Sequence, residues 1–324
     1  MKKVAIIGAG QLGSRHLQGI AQSSIKIDIE VVEPFESSRK RAEERYYEVQ
    51  NRDNVNSIKF FEAVEELSAT LDLVIIATSA DVRFKIIDEL AKNKKVKNLI
   101  LEKVLFQKIE EYYQTEKLLD ESGIKCWVNH PRRMFPVYKQ LKTLLEGSKQ
   151  VSYNFQGGDW GIGCNALHFI DHLAYLVDSN NIELETKCLD PKIYNSKRSG
   201  YIEFNGLLNG KIDNHTFSLY SNSTYSPMIL TIVSDKLIAN IDEENGKIDL
   251  KLRENNWKSE SLEEKIVYYQ SELSNKIVTD VLVDNNLILP TYSEAMSLHI
   301  PFIRSLLEHM NKIENKEHKI CPIT

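Results

Sequence analysis

Short apolar runs alternate with amphipathic stretches along the first 130 residues. "KVAIIG" (3–8) is a compact, β-branched apolar run, the mark of a strand buried on both faces. "IDIEVVEP" (27–34), "SIKFF" (57–61), "LDLVIIATS" (71–79), "NLILEK" (98–103) and "IKCWVNH" (124–130) repeat that texture. Between them lie helical patterns: "GSRHLQGIAQ" (13–22), "ESSRKRAEERYYEVQ" (36–50), "DVRFKIIDELAKN" (81–93) and "KIEEYYQTEKLLDESG" (108–123). Phe84, Ile87 and Leu90 share one side of the third helix, and Gly123 stops the fourth. Strands alternating with helices predict βαβ units and a doubly wound parallel sheet.

The texture changes after residue 130. "PVYKQLKTLLEG" (136–147) reads as a helix bridging two domains, and "QVSYNFQGG" (150–158) as a strand. "NALHFIDHLAYLVD" (165–178) places Ala166, Leu167, Ile170, Leu173, Ala174 and Val177 on one helical stripe. Residues 199–253 alternate loosely, with turn signals at Asn205-Gly206, Asn209-Gly210 and Asn245-Gly246, and predict antiparallel hairpins. "TYSEAMSLHIPFIRSLLEHMNKI" (291–313) is an amphipathic helix. The expectation is an α/β Rossmann domain over 1–130. An α+β domain with a mostly antiparallel sheet follows over 131–324, its last helix packing back on the first domain.

A length of 324 residues agrees with two domains, since single cores stop growing at roughly 250–300 residues. The net charge of −5 argues against a nucleic-acid partner, which needs a basic face. The basic run "KNKKVKN" (92–98) reads as a solvated helix end. The four cysteines, Cys126, Cys164, Cys188 and Cys321, form no CxxC, so no metal site is expected and the spacing suits a reducing cytosol. The apolar run after Met1-Lys2-Lys3 breaks at Gly8, too short for a leader or a membrane span. A soluble, cytoplasmic protein is expected.

Chemistry enters at "VAIIGAGQLGSRHL". Gly8, Gly10 and Gly13, with Gln11 and Leu12 between, form a GxGxxG that follows a strand and opens a helix. Glu33 comes twenty residues later at the end of the second strand. This is the context of a dinucleotide-binding turn. Gly8 allows the tight turn, Gly10 lets the backbone approach a pyrophosphate, and Gly13 lets helix and strand pack closely. The helix N-terminus then offers free N–H groups and partial positive charge. Glu33 suits the ribose hydroxyls and repels a 2′-phosphate, which favours NAD over NADP. Arg39, Lys40 and Arg41 follow six to eight residues later and read as a solvated helix face, or as partners for a 2′-phosphate.

Ligands of open α/β sheets bind beyond the carboxyl ends of the strands. In "NLILEKVLFQ" (98–107), Glu102 and Lys103 sit at such an end. A lysine there can steady a developing alkoxide or relay a proton; the pair also reads as a strand-end salt bridge. "VNHPRRMFP" (128–136) leaves the sixth strand at the same edge, with Asn129, His130 and Arg132 as candidates; Arg132 or Arg133 could pair an anionic group. Trp160 is a stacking face for a sugar ring or a core residue, and Tyr220 and Tyr225 are weaker candidates.

The order of "VAIIGAGQLGSRH", "VIIATSADVRF", "LEKV" and "GGDWGIGCNALHFIDHL" resembles the Gfo/Idh/MocA family, the glucose–fructose oxidoreductase, inositol dehydrogenase and related sugar dehydrogenases. In that family the strand-end segment is usually Glu-Lys-Pro with a catalytic Lys, which maps onto Lys103; the Pro is here Val104. A second signature is an Asp, a His four residues later and an Asp three further on, spacings that share one helix face. His168 and Asp171 fit it, while the first Asp is Cys164, followed by Asn165. The resemblance implies hydride transfer between nicotinamide and a hydroxyl-bearing carbon of a sugar, nucleotide sugar or cyclitol. Lys103 and His168 would be catalytic, since removing hydride from a C–H requires the hydroxyl proton to leave. Thr78, Ser79, Glu102 and Lys103 would join the glycine loop and Glu33 as cofactor contacts. Asn129, Arg132, Trp160, Asn165, His168 and Asp171 would contact substrate. The resemblance also implies a homodimer or homotetramer. The altered positions 104 and 164 leave a second reading, an NAD-binding sensor or regulator on the same fold, and a reductase of a non-sugar carbonyl or imine stays open.

Overall fold

The computed structural model describes all 324 residues. They divide into two compact units. The first comprises Met1–Phe106, Glu110–Pro131 and Tyr268–Ser293; the second comprises Gln107–Ile109, Arg132–Val267 and Glu294–Thr324.

The first unit carries strands β1 (Lys2–Ile7), β2 (Ile27–Val32), β3 (Val55–Phe61), β4 (Leu73–Ile76), β5 (Asn98–Glu102) and β6 (Lys125–Asn129). Helices α1 (Gln11–Ala21), α2 (Glu36–Glu48), α3 (Ala80–Asn93) and α4 (Ile109–Ser122) connect them. The sheet is parallel throughout, in the order β3-β2-β1-β4-β5-β6. Val4, Ile6, Ile29, Val31, Val74, Ile75 and Ile100 are fully buried, which is why these strands read as continuous apolar runs. The chain leaves β1 in one direction for β2 and β3 and in the other for β4 to β6. The carboxyl ends of β1 and β4 therefore flank the switch point where such sheets bind ligands.

The second unit carries α5 (Pro136–Leu145), β7 (Val151–Gly158), α6 (Ile162–Val177), β8 (Ile182–Leu189), β9 (Gly206–Ile212), β10 (His215–Asn222), β11 (Ser226–Ser234), β12 (Leu237–Asp242), β13 (Lys247–Leu252) and β14 (Ser259–Glu263). Its eight-stranded sheet runs β8-β9-β10-β7-β11-β12-β13-β14. Neighbours are antiparallel except β7 and β10, which are parallel. The apolar stripe of α6 covers one face, where Phe155 of β7 stacks on Phe169 with ring centres 3.7 Å apart. The fold class is thus the one expected, a parallel Rossmann sheet plus a mostly antiparallel one.

Two expectations need correction. Asn209-Gly210 is not a turn. Both residues lie inside β9, and the chain reverses at Asp213-Asn214, with Asp213 at φ 52°. Gly210 pairs with Phe217, and a Cβ on it would sit 2.3 Å from that ring, so packing rather than a turn requires the glycine. The single boundary at 130 is also too simple. Tyr268–Ser293 belongs to the first unit, and its helix α7 (Gln270–Thr279) lies against α1. Gly19 permits that approach, since a Cβ there would meet Ser274 Cβ at 2.8 Å and Ser271 O at 2.9 Å. The last helix, α8 (Tyr292–Glu314), falls in the second unit from Glu294 onward. No helix is long and apolar enough to cross a membrane.

Candidate functional site

The turn between β1 and α1 is built around its glycines. Gly8 has φ +83°, and a Cβ on it would lie 2.7 Å from Thr78 Cγ2. A Cβ on Gly13 would lie 1.8 Å from Gly8 O, so α1 can begin here only with glycine at 13. Gly10 is different: a Cβ would meet nothing within 4 Å. Gly10 faces open space at the N-terminus of α1, where no side chain caps the helix. Free N–H donors and open space together make an anion cradle. Of the intervening residues, Gln11 is exposed and its Oε1 accepts from Arg45 Nη2 at 2.8 Å, while Leu12 is about one third exposed.

The cradle opens into a cleft of about 720 Å³, within the range of small-molecule and cofactor sites. Gly8, Gly10, Glu33, Phe35, Thr78 and Ser79 are among its walls. Glu33 is nearly buried, and its carboxylate accepts from Ala9 N–H at 2.8 Å and from Phe35 N–H at 3.1 Å. Two backbone donors thus fix the acidic side chain at the end of β2.

Lys103 follows directly on β5, and its peptide bond to Val104 is cis. Arg83, fully buried in α3, ties this segment down by donating to the carbonyls of Thr78, Val104 and Leu105. Glu102 does not line the cleft. Its Oε1 meets His16 Nε2 of α1 at 2.8 Å and accepts from Asn129 Nδ2 at 2.5 Å. Asn129 Nδ2 also donates to Gln270 Oε1 at 2.8 Å, Gln270 Nε2 donates to Ser274 Oγ at 3.0 Å, and His16 Nδ1 lies 2.9 Å from that hydroxyl. These five residues close a buried polar ring behind Lys103. Burial by itself would raise the Glu102 carboxyl, but the His16 and Asn129 hydrogen bonds outweigh it and hold the group below its ordinary value. His16, Arg83, Gln270 and Ser274 were not singled out from the sequence. The one available signal was the histidine three residues beyond Gly13, inside the glycine motif.

In the second unit, α6 carries Cys164, His168 and Asp171 on one face, with His168 half-buried. Asp171 is committed to structure. It takes both Nε and Nη2 of Arg133, at 2.9 and 2.7 Å, and is 1% exposed. Arg132 is likewise engaged, by Glu243 at 3.0 and 2.6 Å, and lies over the Phe169 ring. Tyr138 donates to the same Glu243. Both residues expected to contact substrate are therefore halves of bidentate ion pairs. Trp160 is packed against Phe155 and Phe169, and its Nε1 donates to Tyr220 O at 2.8 Å. Trp160 and Asn165 nevertheless share one cavity of about 440 Å³ with Asp159, Cys164, Lys197 and Glu203. Asn165 donates to Trp160 O. Glu203, unmarked in the sequence, caps α6: its carboxylate accepts from Gly163 N–H at 2.7 Å and Cys164 N–H at 2.9 Å.

Residues 2–130 match the Gfo/Idh/MocA family model, described as an oxidoreductase family with an NAD-binding Rossmann fold. The match spans the whole parallel sheet of the first unit, from β1 through β6. A comparison with curated protein sequences finds no match. Solved structures share the fold of nearly the whole chain. UDP-N-acetylglucosamine 3-dehydrogenase from Acidithiobacillus ferrooxidans has a TM-score of 0.69 at 13% identity, covering 94% of this chain and 96% of that one. An oxidoreductase from Agrobacterium radiobacter, in complex with NAD+, L-tartaric acid and magnesium, has 0.72 at 13% identity, covering 96% and 97%. A super-repressor mutant of Gal80p from Saccharomyces cerevisiae has 0.70 at 16% identity, covering 98% and 99%. The Gfo/Idh/MocA resemblance places Val104 where the family has proline and Cys164 where it has aspartate. A dinucleotide fits the first unit on the geometry of its glycine turn and Glu33. Gly8, Gly10 and the start of α1 would hold the pyrophosphate, and Glu33 the adenosine ribose.

Proposed function

We propose that the protein is an NAD-dependent oxidoreductase acting on a hydroxyl-bearing carbon of a sugar, nucleotide sugar or cyclitol. The observation that carries this reading is the glycine cradle, with open space at Gly10 and the fixed carboxylate of Glu33 at the end of β2. Bound nicotinamide would supply the hydride acceptor. Lys103 and His168 are assigned the hydroxyl proton on the motif resemblance. The buried ring around Glu102 supports that assignment, because it anchors the residue next to Lys103 from α1, β6 and α7 at once. Asn129 Oδ1, buried and without a partner, is an acceptor left for a ligand N–H or O–H. Glu33 and the further acidic walls Glu62, Glu65 and Glu89 favour NAD over the more negative NADP.

The test is a turnover screen with NAD and with NADP against a panel of sugars, inositols and nucleotide sugars, followed by absorbance of the reduced nicotinamide. The reading expects turnover with NAD on a polyol. A cofactor-binding regulator is the second reading. Cys164 favours it by removing the carboxylate of the helix motif, and the fold likeness to Gal80p accords with it. Tight NAD binding with silence across the panel would select the regulator. The proposed partners are a small sugar-like molecule and further copies of the chain. Light scattering showing a monomer at micromolar concentration would remove the second of these.

A further inference from the structure

The cleft beside Glu33 carries an arginine that is already engaged. Arg39, in α2, donates from Nη1 to Glu33 O at 2.7 Å and from Nη2 to Glu62 Oε1 at 2.6 Å. Its side chain is 18% exposed, whereas Glu62 is 70% exposed. Glu33, Phe35, Ser38 and Glu62 all line the cleft. The adjacent Lys40 is occupied by Glu36 at 2.6 Å, so Arg39 is the cation placed against the acidic end of β2.

We propose that Glu62 is a cofactor-selection residue, holding the Arg39 guanidinium so that it does not serve a 2′-phosphate; this rests on reading the cleft as a dinucleotide site. A guanidinium is the side chain best shaped to pair a phosphate through two N–H groups. Arg39 is bonded to the backbone of Glu33, whose carboxylate is placed to read the ribose hydroxyls. A 2′-phosphate arriving there meets two obstacles of different kinds. The fixed Glu33 carboxylate repels it, and the Arg39 guanidinium has its charge answered by Glu62. Selection against NADP is thus divided between two carboxylates, one on β2 and one just after β3. Glu62 is largely exposed and its pair with Arg39 contributes little to folding, so its removal leaves the fold intact.

The experiment is calorimetric titration of the full chain with NAD and with NADP. The proteins are wild type, Glu62→Gln, Glu33→Ser, Glu33→Ser/Glu62→Gln, and the double variant carrying Arg39→Ala. The ratio of NADP to NAD dissociation constants should fall about two- to fivefold in Glu62→Gln, the worth of the exposed ion pair that Arg39 would otherwise have to give up to meet a phosphate. It should fall further in the double variant than in Glu33→Ser, and Arg39→Ala should abolish the increment. An unchanged ratio on removing Glu62, in both backgrounds, would overturn the proposal. So would a gain that survives Arg39→Ala. Failure of the wild type to bind either dinucleotide would overturn the cleft reading itself, a result distinct from NAD binding with no effect of Glu62.

Discussion

Gly10 and Gly13 stand three residues apart in one turn, and the structure assigns them opposite burdens. A Cβ on Gly13 would lie 1.8 Å from Gly8 O and 2.9 Å from Gly8 C. No rotamer change relieves a clash with backbone, so α1 must move off the turn. Overpacking of this kind costs about 1–3 kcal/mol, against a gain of about 1 kcal/mol from alanine's better helix propensity. Gly13→Ala should therefore lose stability and dinucleotide affinity together. A Cβ on Gly10 meets nothing within 4 Å, and its φ of −63° lies outside the left-handed region that demands glycine. Gly10→Ala should leave stability within about 0.5 kcal/mol of wild type, since reduced unfolded-state freedom offsets the loss of glycine at the cap. The methyl would instead occupy the space into which a pyrophosphate fits. Losing about 1.4–3 kcal/mol of charge-assisted hydrogen bonding weakens NAD binding roughly 10- to 100-fold. Urea unfolding and calorimetric titration of the two variants give both quantities. The reasoning fails if Gly10→Ala binds NAD like wild type, or if it destabilises the chain as much as Gly13→Ala does.

Three further outcomes follow from side chains held by the fold. His16→Ala removes one half of a buried pair and leaves Glu102 to Asn129 alone; a loss of about 3 kcal/mol in urea unfolding is expected, and a loss under about 1 kcal/mol would contradict the account of the ring. Burial, with Arg132 and Arg133 adding to it, pushes the His172 imidazole well below its ordinary 6.5, so the folded chain holds it neutral while the unfolded chain takes a proton below that pH. Stability should accordingly be full above about pH 6.5 and fall with acidification by up to about 1.4 kcal/mol per pH unit. His172→Phe should flatten that slope, and an unchanged slope would place the proton elsewhere. Glu203→Gln weakens the cap of α6 and should cost about 1 kcal/mol, read as a lower unfolding midpoint; no shift would mean that the carboxylate contributes nothing there.

The parts of this molecule that were legible in the sequence are those set by local physics. Buried parallel strands need apolar runs, and a helix that starts where a Cβ would lie 1.8 Å from a backbone oxygen needs glycine, so β1, the turn and α1 could be read directly. What was not legible depends on partners far along the chain. Gln270 and Ser274 carry no apolar pattern that announces packing on α1; they are held by His16 and Asn129, more than a hundred residues away. Charge partners are equally hidden. Arg132 and Asp171 looked available because a sequence does not show Glu243 or Arg133 waiting for them. Gly210 resembled a turn residue because the ring of Phe217 above it is visible only once the strands pair.

The central claim is that a dinucleotide cradle in this chain serves hydride transfer assisted by Lys103. The most direct measurement compares wild type with Lys103→Met, taking NAD affinity by calorimetry and turnover by nicotinamide absorbance on whichever polyol the screen identifies. The account predicts that Lys103→Met binds NAD within a fewfold of wild type and loses turnover by about 100-fold or more, the usual contribution of a positioned proton-handling group. Turnover that survives the substitution, or a wild-type protein that binds NAD and reduces none of it, would contradict the account.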